Sequence, residues 1–207
     1  MKWEDLLRIV GKESVFNSSL LKTRQIDPVD LGRQLSRWVR SGKLIPIRKG
    51  LYTLSDKYRK TDPHPFYIAN RSKRGSYVSL QSALGYYGLI PEYVPNITSV
   101  TTGRPEALST PFGTFIFRHI KRDLLFGYSS EDLGAGQKAL VAHPEKALLD
   151  LLHLTPASDN LDYLHSLRIQ NDEVLNLGRL KDYSRRSGSR KLLRATILLE
   201  ALLQGQL

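Results

Sequence analysis

Hydrophobic residues recur at helical spacing through the first forty positions, and this spacing predicts three short helices. The first covers residues 3–10 and ends at Gly11. The second covers residues 18–24, where Asn17 can cap the helix and Leu20 and Leu21 are expected to face inward. The third runs from Pro28 to about Arg40, since Asp27 is a good N-cap and proline suits the first helical position. Its apolar residues Leu31, Leu35, Trp38 and Val39 fall on one face.

The spacing changes to strand alternation directly after the third helix. KLIPIRKGLYTL, residues 43–54, predicts a hairpin whose tip is Arg48-Lys49-Gly50, where glycine can adopt a positive φ. Pro46 predicts an edge strand because proline donates no backbone hydrogen bond. Three helices followed by a hairpin with a basic tip indicate a winged helix-turn-helix domain at residues 1–55.

Residues 56–66 are polar and proline-containing, and we interpret them as a linker or an extended crossing segment. Residues 67–207 show mixed patterns. Residues 96–103 and 112–120 alternate like strands, and residues 122–132 suggest a further strand and turn. Residues 79–88, 143–154, 161–167, 173–186 and 190–203 predict helices, and Ser79 can cap the first of them. The expected fold class is α+β: an N-terminal winged helix-turn-helix followed by a mixed α+β domain with a helical C-terminal part.

Charge adds a functional direction to this architecture. The net charge is +11, and residues 1–60 contain 14 Lys/Arg against 6 Asp/Glu, whereas the remaining residues contain 17 against 14. A basic excess concentrated in one part of a chain favours a polyanionic partner such as nucleic acid. It is also compatible with an ordinary soluble basic surface.

The third helix supplies the candidate DNA contacts. Three arginines form a stripe opposite its apolar face, and arginine suits both phosphates and guanine edges. We expect base contacts from Asp30, Arg33, Gln34 and Arg37, and phosphate contacts from Arg40, Lys43, Arg48 and Lys49. A second basic surface is predicted on the last two helices, at Lys181, Arg185, Arg186, Arg190, Lys191 and Arg194. It is equally compatible with a solvated face, with further DNA phosphates or with an acidic protein partner.

No other motif predicts chemistry. The chain has no cysteine, its five histidines form no metal-binding pattern, and GAGQK at 134–138 lacks the spacing of a phosphate loop and predicts a turn. We therefore predict no catalytic residue, no metal and no cofactor. The alternative is a nuclease or nucleotide-modifying enzyme, which would need Asp123, Glu131, Asp132 and Glu145 to converge on one metal ion.

Four segments resemble the AbiEi family of antitoxins from bacterial type IV toxin–antitoxin systems: WVRSGKLIPIRKGLYTL, YVSLQSALGYYGLIPE, ITSVTTGRP and HPEKALLDLL. The resemblance covers residues 3 to 153 and implies a non-enzymatic transcriptional repressor that binds inverted repeats in its own promoter. It also implies a nucleotidyltransferase-like toxin as partner and a C-terminal domain with antitoxin activity. An antitoxin in which DNA binding is incidental remains a further possibility at this point.

The expected location is the cytoplasm. The chain has no run of about 18 apolar residues that would span a membrane, and its first ten residues lack the apolar core of a signal peptide.

Overall fold

The N-terminal segment, residues 1–54, combines two α-helices with a small antiparallel sheet. A computed structural model describes residues 1–21 and 27–206. In the N-terminal segment it shows α1 (Trp3–Val10), β1 (Phe16–Asn17), a 3₁₀ turn (Ser18–Leu21), α2 (Pro28–Arg40), β2 (Leu44–Arg48) and β3 (Leu51–Leu54). The strand order is β1-β3-β2, so β2 lies at the sheet edge and accommodates Pro46, as predicted.

Local signals explain the bounds of these elements. The Asp27 carboxylate accepts hydrogen bonds from the backbone N–H groups of Val29 and Asp30, which starts α2 at the predicted residue. Gly50 turns the hairpin with φ = +82°. The predicted second helix is described only as the 3₁₀ turn, and residues 22–24 lie outside the described residues. Leu21 is buried as expected, but Leu20 is 44% exposed, so the prediction that both face inward is wrong for Leu20.

The C-terminal segment, from residue 65 onward, is built on a six-stranded mixed sheet. Its elements are α3 (Pro65–Ser72), β4 (Ser76–Val78), α4 (Leu80–Tyr86), β5 (Ile97–Thr101), β6 (Glu106–Thr110), β7 (Gly113–His119), β8 (Tyr128–Asp132), β9 (Lys138–Ala142), α5 (Pro144–Leu154), α6 (Leu161–Ser166), α7 (Leu177–Arg186) and α8 (Arg190–Leu203). The strand order is β6-β7-β5-β4-β9-β8. The predicted α+β class is thus confirmed, whereas α3, β4, β6 and β9 were not predicted.

Helices pack on this sheet and on each other. α3 contacts β4, β5 and β9, α4 contacts β5, and α5 lies against α4, α7 and α8. A large apolar core joins the sheet to these helices, and a smaller cluster fills the N-terminal segment around Leu35 and Trp38. Within residues 1–21 and 27–206, no helix has the length and apolarity needed to cross a membrane.

A charged network lies inside the larger core. Asp150 of α5 accepts hydrogen bonds from the Tyr77 hydroxyl at 2.9 Å and from Ser79 Oγ at 2.8 Å, and it pairs with Lys146. We expected Ser79 to cap α4 with its side chain. Ser79 does occupy the N-cap position, but its hydroxyl makes no cap bond and donates to Asp150 instead.

The connection between the two segments is held in place by specific contacts. Arg59 is only 9% exposed and pairs with Asp56 and Asp62. Gln137, in the turn before β9, accepts hydrogen bonds from Ser14 Oγ at 3.0 Å and from the His64 N–H at 2.9 Å. Residues 56–64 therefore form an ordered crossing segment, and α3 begins at Pro65, within the predicted linker.

Candidate nucleic-acid interface

The face of α2 that points away from the core is basic. Leu31, Leu35 and Trp38 are buried at 3–5% exposure and fix the helix against the small core. Arg33, Arg37 and Arg40 are exposed on the opposite side, as the helical spacing predicts. The capped N-terminus and the buried stripe leave the helix little freedom, so the guanidinium groups project from a rigid element.

The individual side chains on this face differ in how free they are. Arg33 and Asp30 form a loose ion pair at 3.4 Å with both side chains about 70% exposed, where ion pairs contribute little. Gln34 is half-buried beside them. Among the described residues, Arg37 and Arg40 have no side-chain hydrogen bond or ion pair, so both guanidinium groups can engage an external acceptor.

Lys43 lies at the C-terminal end of this surface. Its Nζ is 5.0 Å from the Trp3 ring centroid, and Trp3 packs edge-on against Trp38 with centroids 5.2 Å apart. The ammonium group is therefore held over an aromatic face while its side chain remains half-exposed. This contact positions a cation next to the end of α2.

The two basic residues at the hairpin tip have different environments. Lys49 is exposed. Arg48 instead turns toward the C-terminal segment, where it donates to the Ser72 carbonyl at 2.7 Å and pairs with Glu106 at 3.2 Å. The sequence predicts that Arg48 contacts DNA phosphates, and the structure places its guanidinium in a contact between the two segments.

The predicted second basic surface is largely engaged within the chain. Lys181 pairs with Glu200 at 2.6 Å, Arg194 pairs with Asp159, and Lys191 donates to the Leu152 carbonyl at 2.6 Å near the end of α5. Arg186 lies over the Phe126 ring at 4.0 Å, and exposed Arg185 pairs with Asp182 at 3.3 Å. Arg190 is exposed and has no ion pair among the described residues. Intramolecular roles thus explain most of this set.

The carboxylates considered for metal-assisted chemistry have other surroundings. Glu145 is fully buried on α5 and accepts a hydrogen bond from the Asn176 N–H at 2.7 Å, with Arg179 3.5 Å away. Asp123 is exposed on a 3₁₀ turn, and Glu131 and Asp132 lie on β8. In the described part of the chain, no three His, Asp or Glu side chains are grouped to hold a metal ion.

The histidines and the glycine-rich turn also have structural surroundings. Burial lowers the pKa of His64, His143 and His153 below its ordinary value. His64 caps α3, and His143 Nδ1 lies 2.8 Å from the Tyr183 hydroxyl. Residues 134–137 form the turn between β8 and β9, as predicted, and Lys138 begins β9.

A further group of exposed cationic side chains, separate from the predicted second basic surface, was not predicted from the sequence. Arg74, Arg104, Lys121 and Arg122 lie in three loops at one end of the six-stranded sheet, and we call them the sheet-end set. None has an ion pair among the described residues. Each lies two to three residues from a strand end: Arg74 before β4, Arg104 after β5, and Lys121 and Arg122 after β7. This position beside a strand end is the only local signal that could have identified them.

Comparison with known proteins identifies a similar fold. A crystal structure of the Rv2827c protein from Mycobacterium tuberculosis matches with a TM-score of 0.55 and 17% sequence identity, over 96% of this chain and 76% of that one. No protein-family model matches the chain, and no curated protein matches its sequence. At this identity the likeness concerns the fold alone.

Proposed function

We propose that the N-terminal segment is a winged helix-turn-helix domain and that the protein is a DNA-binding transcriptional repressor. The order of α1, the 3₁₀ turn, α2 and the β2–β3 hairpin supports this assignment, as does the β1-β3-β2 sheet. In this interpretation α2 is the recognition helix and the hairpin is the wing.

The observation that carries the proposal is the pair Arg37 and Arg40. They project from a capped helix whose opposite face is buried, and neither has a hydrogen bond or ion pair in the described part of the chain. An α-helix of 13 residues is about 20 Å long and, with its side chains, about 10–12 Å in diameter. The major groove of B-DNA is about 12 Å wide and therefore admits such a helix.

Each side chain has a role in this scheme. Arg33 and Arg37 donate to guanine edges, Gln34 to adenine, and Asp30 can accept from cytosine after its weak pair with Arg33 opens. Arg40, Lys43 and Lys49 neutralise backbone phosphates. Arg48 is withdrawn from this list because it binds Glu106 and Ser72, and it positions the wing instead.

The biological role rests on the resemblance to AbiEi antitoxins. We propose that the protein binds repeats in its own promoter, blocks polymerase there, and counteracts a nucleotidyltransferase-like toxin. HPEKALLDLL forms α5, where Lys146 and Asp150 are buried, so these two charges serve the fold in this chain.

Binding to DNA from immediately upstream of the protein's own coding region tests the proposal. The double variant Arg37→Gln/Arg40→Gln should lose about tenfold or more in affinity, since one bidentate base contact alone is worth about 1–3 kcal/mol. Arg185→Gln/Arg190→Gln removes the same charge from exposed sites on α7 and α8 and serves as the control. Equal affinity of the two double variants would contradict the proposed interface.

Antitoxin activity is tested separately, by co-expression with the product of the adjacent gene. Growth rescue by the wild type is expected if that product is the toxin. Rescue that persists in Arg37→Gln/Arg40→Gln would show that antitoxin activity does not require DNA binding by α2. Loss of growth rescue only in variants that also lose DNA binding would assign both activities to one surface.

A further inference from the structure

A groove of about 430 Å³ lies between the N-terminal segment and the C-terminal segment, and we call it the inter-segment groove. One wall comes from β1, the 3₁₀ turn and the hairpin, through Asn17, Ser19 and Leu51. The other wall comes from the end of α3 and the turn before β4. Small-molecule sites have volumes of about 300–1,000 Å³ and occur preferentially at such junctions.

The wall from the C-terminal segment carries two unpaired positive charges. Arg71 and Arg74 line it, and both side chains are exposed. The Arg71 guanidinium lies 5.7 Å from the centroid of the Tyr67 ring, one helical turn earlier on α3. Neither arginine has an ion pair or a side-chain hydrogen bond in residues 1–21 and 27–206, and none of the described residues that line the groove is acidic. The groove therefore favours an anion.

The carbonyl groups at the end of α3 do little to oppose this charge. Unpaired carbonyls at a helix C-terminus repel anions. Here the Ser72 carbonyl accepts a hydrogen bond from the Arg48 guanidinium at 2.7 Å, and the Lys73 carbonyl accepts one from Ser76 Oγ at 2.7 Å. Two of the carbonyls nearest the arginines are thus paired, one of them with a cation.

The groove also offers a hydrogen-bond donor and apolar surface. Asn70 lines it, and its Oδ1 accepts a hydrogen bond from the Leu140 N–H at 2.5 Å, which fixes the amide. Its Nδ2 is buried and donates to nothing in the described part of the chain. A buried donor without a partner is costly, and an acceptor bound in the groove would remove that cost. Leu51, which is 2% exposed, and half-buried Leu140 supply the apolar surface.

We propose that the inter-segment groove binds a small molecule that carries a phosphomonoester group on a compact body. A phosphomonoester has about 1.5 to 2 negative charges at pH 7 and so matches two arginines, whereas a carboxylate supplies one charge. Guanidinium groups bind phosphate oxygens in pairs. The body contacts Leu51 and Leu140, which lie below the surface that the backbone of a DNA duplex could contact. This site does not depend on the proposed DNA-binding function.

A ligand in this groove would join the hairpin to the C-terminal segment. The Ser18 N–H donates to the Gly50 carbonyl at 2.8 Å, so the 3₁₀ turn and the hairpin tip form one wall. The ion pair between Arg48 and Glu106 already links the hairpin to β6. A second link through the ligand should slow hydrogen exchange at backbone amides of both walls, in residues 17–19 and 70–76.

Isothermal titration of the full-length protein tests the site with three probes: adenosine 5′-monophosphate, glucose 6-phosphate and inorganic phosphate. At least one should bind, and adenosine or glucose should bind more weakly than its phosphorylated form. Arg71→Gln/Arg74→Gln should weaken binding about tenfold or more, because hydrogen bonds to charged groups are strong. Ser19→Tyr, which fills the groove from the opposite wall without changing its charge, should also weaken binding. Arg185→Gln/Arg190→Gln is the control of equal charge.

Four results would overturn the proposal: no binding of any probe, equal weakening by the two arginine double variants, unchanged binding to Ser19→Tyr, or hydrogen-exchange protection outside both walls. If Arg71→Gln/Arg74→Gln weakens binding to a DNA duplex but not to the probe, the two arginines contact DNA and the small-molecule site is wrong. Each of these results leaves the proposed function intact as long as Arg37→Gln/Arg40→Gln weakens binding to the upstream DNA.

Discussion

Removing the charge of Asp150 is expected to destabilise the protein severely. The carboxylate is 2% exposed, it accepts hydrogen bonds from Tyr77 and Ser79, and it is the ion-pair partner of Lys146, which is 3% exposed. Asp150→Asn preserves the shape and one acceptor oxygen but leaves a buried ammonium group without a counter-charge. Burial already lowers the pKa of Lys146, against the opposing effect of Asp150.

The size of the effect follows from this burial. Breaking a buried ion pair by removing one partner costs about 3–5 kcal/mol. Because domains of this size are typically stable by only about 5–15 kcal/mol, Asp150→Asn should remove at least about a fifth of the free energy of unfolding. By contrast, Asp182 and Arg185 are about 70% exposed and pair at 3.3 Å, so Asp182→Asn should cost at most about 0.5 kcal/mol.

Urea unfolding followed by circular dichroism measures both variants under the same conditions. The double variant Lys146→Met/Asp150→Asn removes both charges and should recover most of the stability, because a well-packed apolar replacement of a buried pair is often neutral. If Asp150→Asn were no less stable than Asp182→Asn, or if the double variant were no more stable than Asp150→Asn, the network would not depend on charge compensation.

Three further outcomes are expected. Lys49→Ala should weaken binding to all DNA sequences alike and reduce the salt slope by about one; sequence-selective loss in a titration series would contradict a phosphate contact. Burial lowers the pKa of His143 and His153 below 6.5, so the folded state favours the neutral imidazoles. The unfolding free energy should therefore be highest above pH 6.5 and fall as the pH drops from there through the folded-state pKa values. Urea denaturation at several pH values that shows no such fall would contradict this prediction. Gly127→Ala should cost about 2–4 kcal/mol in urea unfolding, since Gly127 has φ = +73° and a Cβ would lie 2.8 Å from the Tyr183 ring. A loss of stability below about 0.5 kcal/mol would contradict this prediction.

Local signals made α2 and the β2–β3 hairpin of the N-terminal segment predictable, whereas β1, which pairs with β3 far along the chain, was not predicted. The bounds of α2 follow from the Asp27 cap, Pro28 and an apolar stripe, all within one helix, and the hairpin turn follows from Gly50. Likewise α8 begins after Ser189, whose hydroxyl caps it, and ends at the predicted residue. In each case the deciding interactions lie within a few residues of the element.

Elements defined by distant pairing could not be predicted in the same way. β4 has three residues, all buried, and β6 is an edge strand whose existence depends on pairing with β7. Such short strands have too little alternation to be recognised locally. The ion pair of Arg48 could not be predicted either, because its partner Glu106 lies 58 positions away in the chain. The sheet-end set is likewise created by strand register and not by any one motif.

The most direct test of the central claim asks whether Arg37 contacts a base in the major groove. Methylation interference at guanine N7, on the upstream DNA fragment, should reveal at least one guanine whose methylation blocks the wild-type protein but has no effect on binding of Arg37→Ala. Arg185→Ala should retain the full wild-type pattern. Identical interference patterns for all three proteins would contradict the assignment of α2 as the helix that contacts DNA bases.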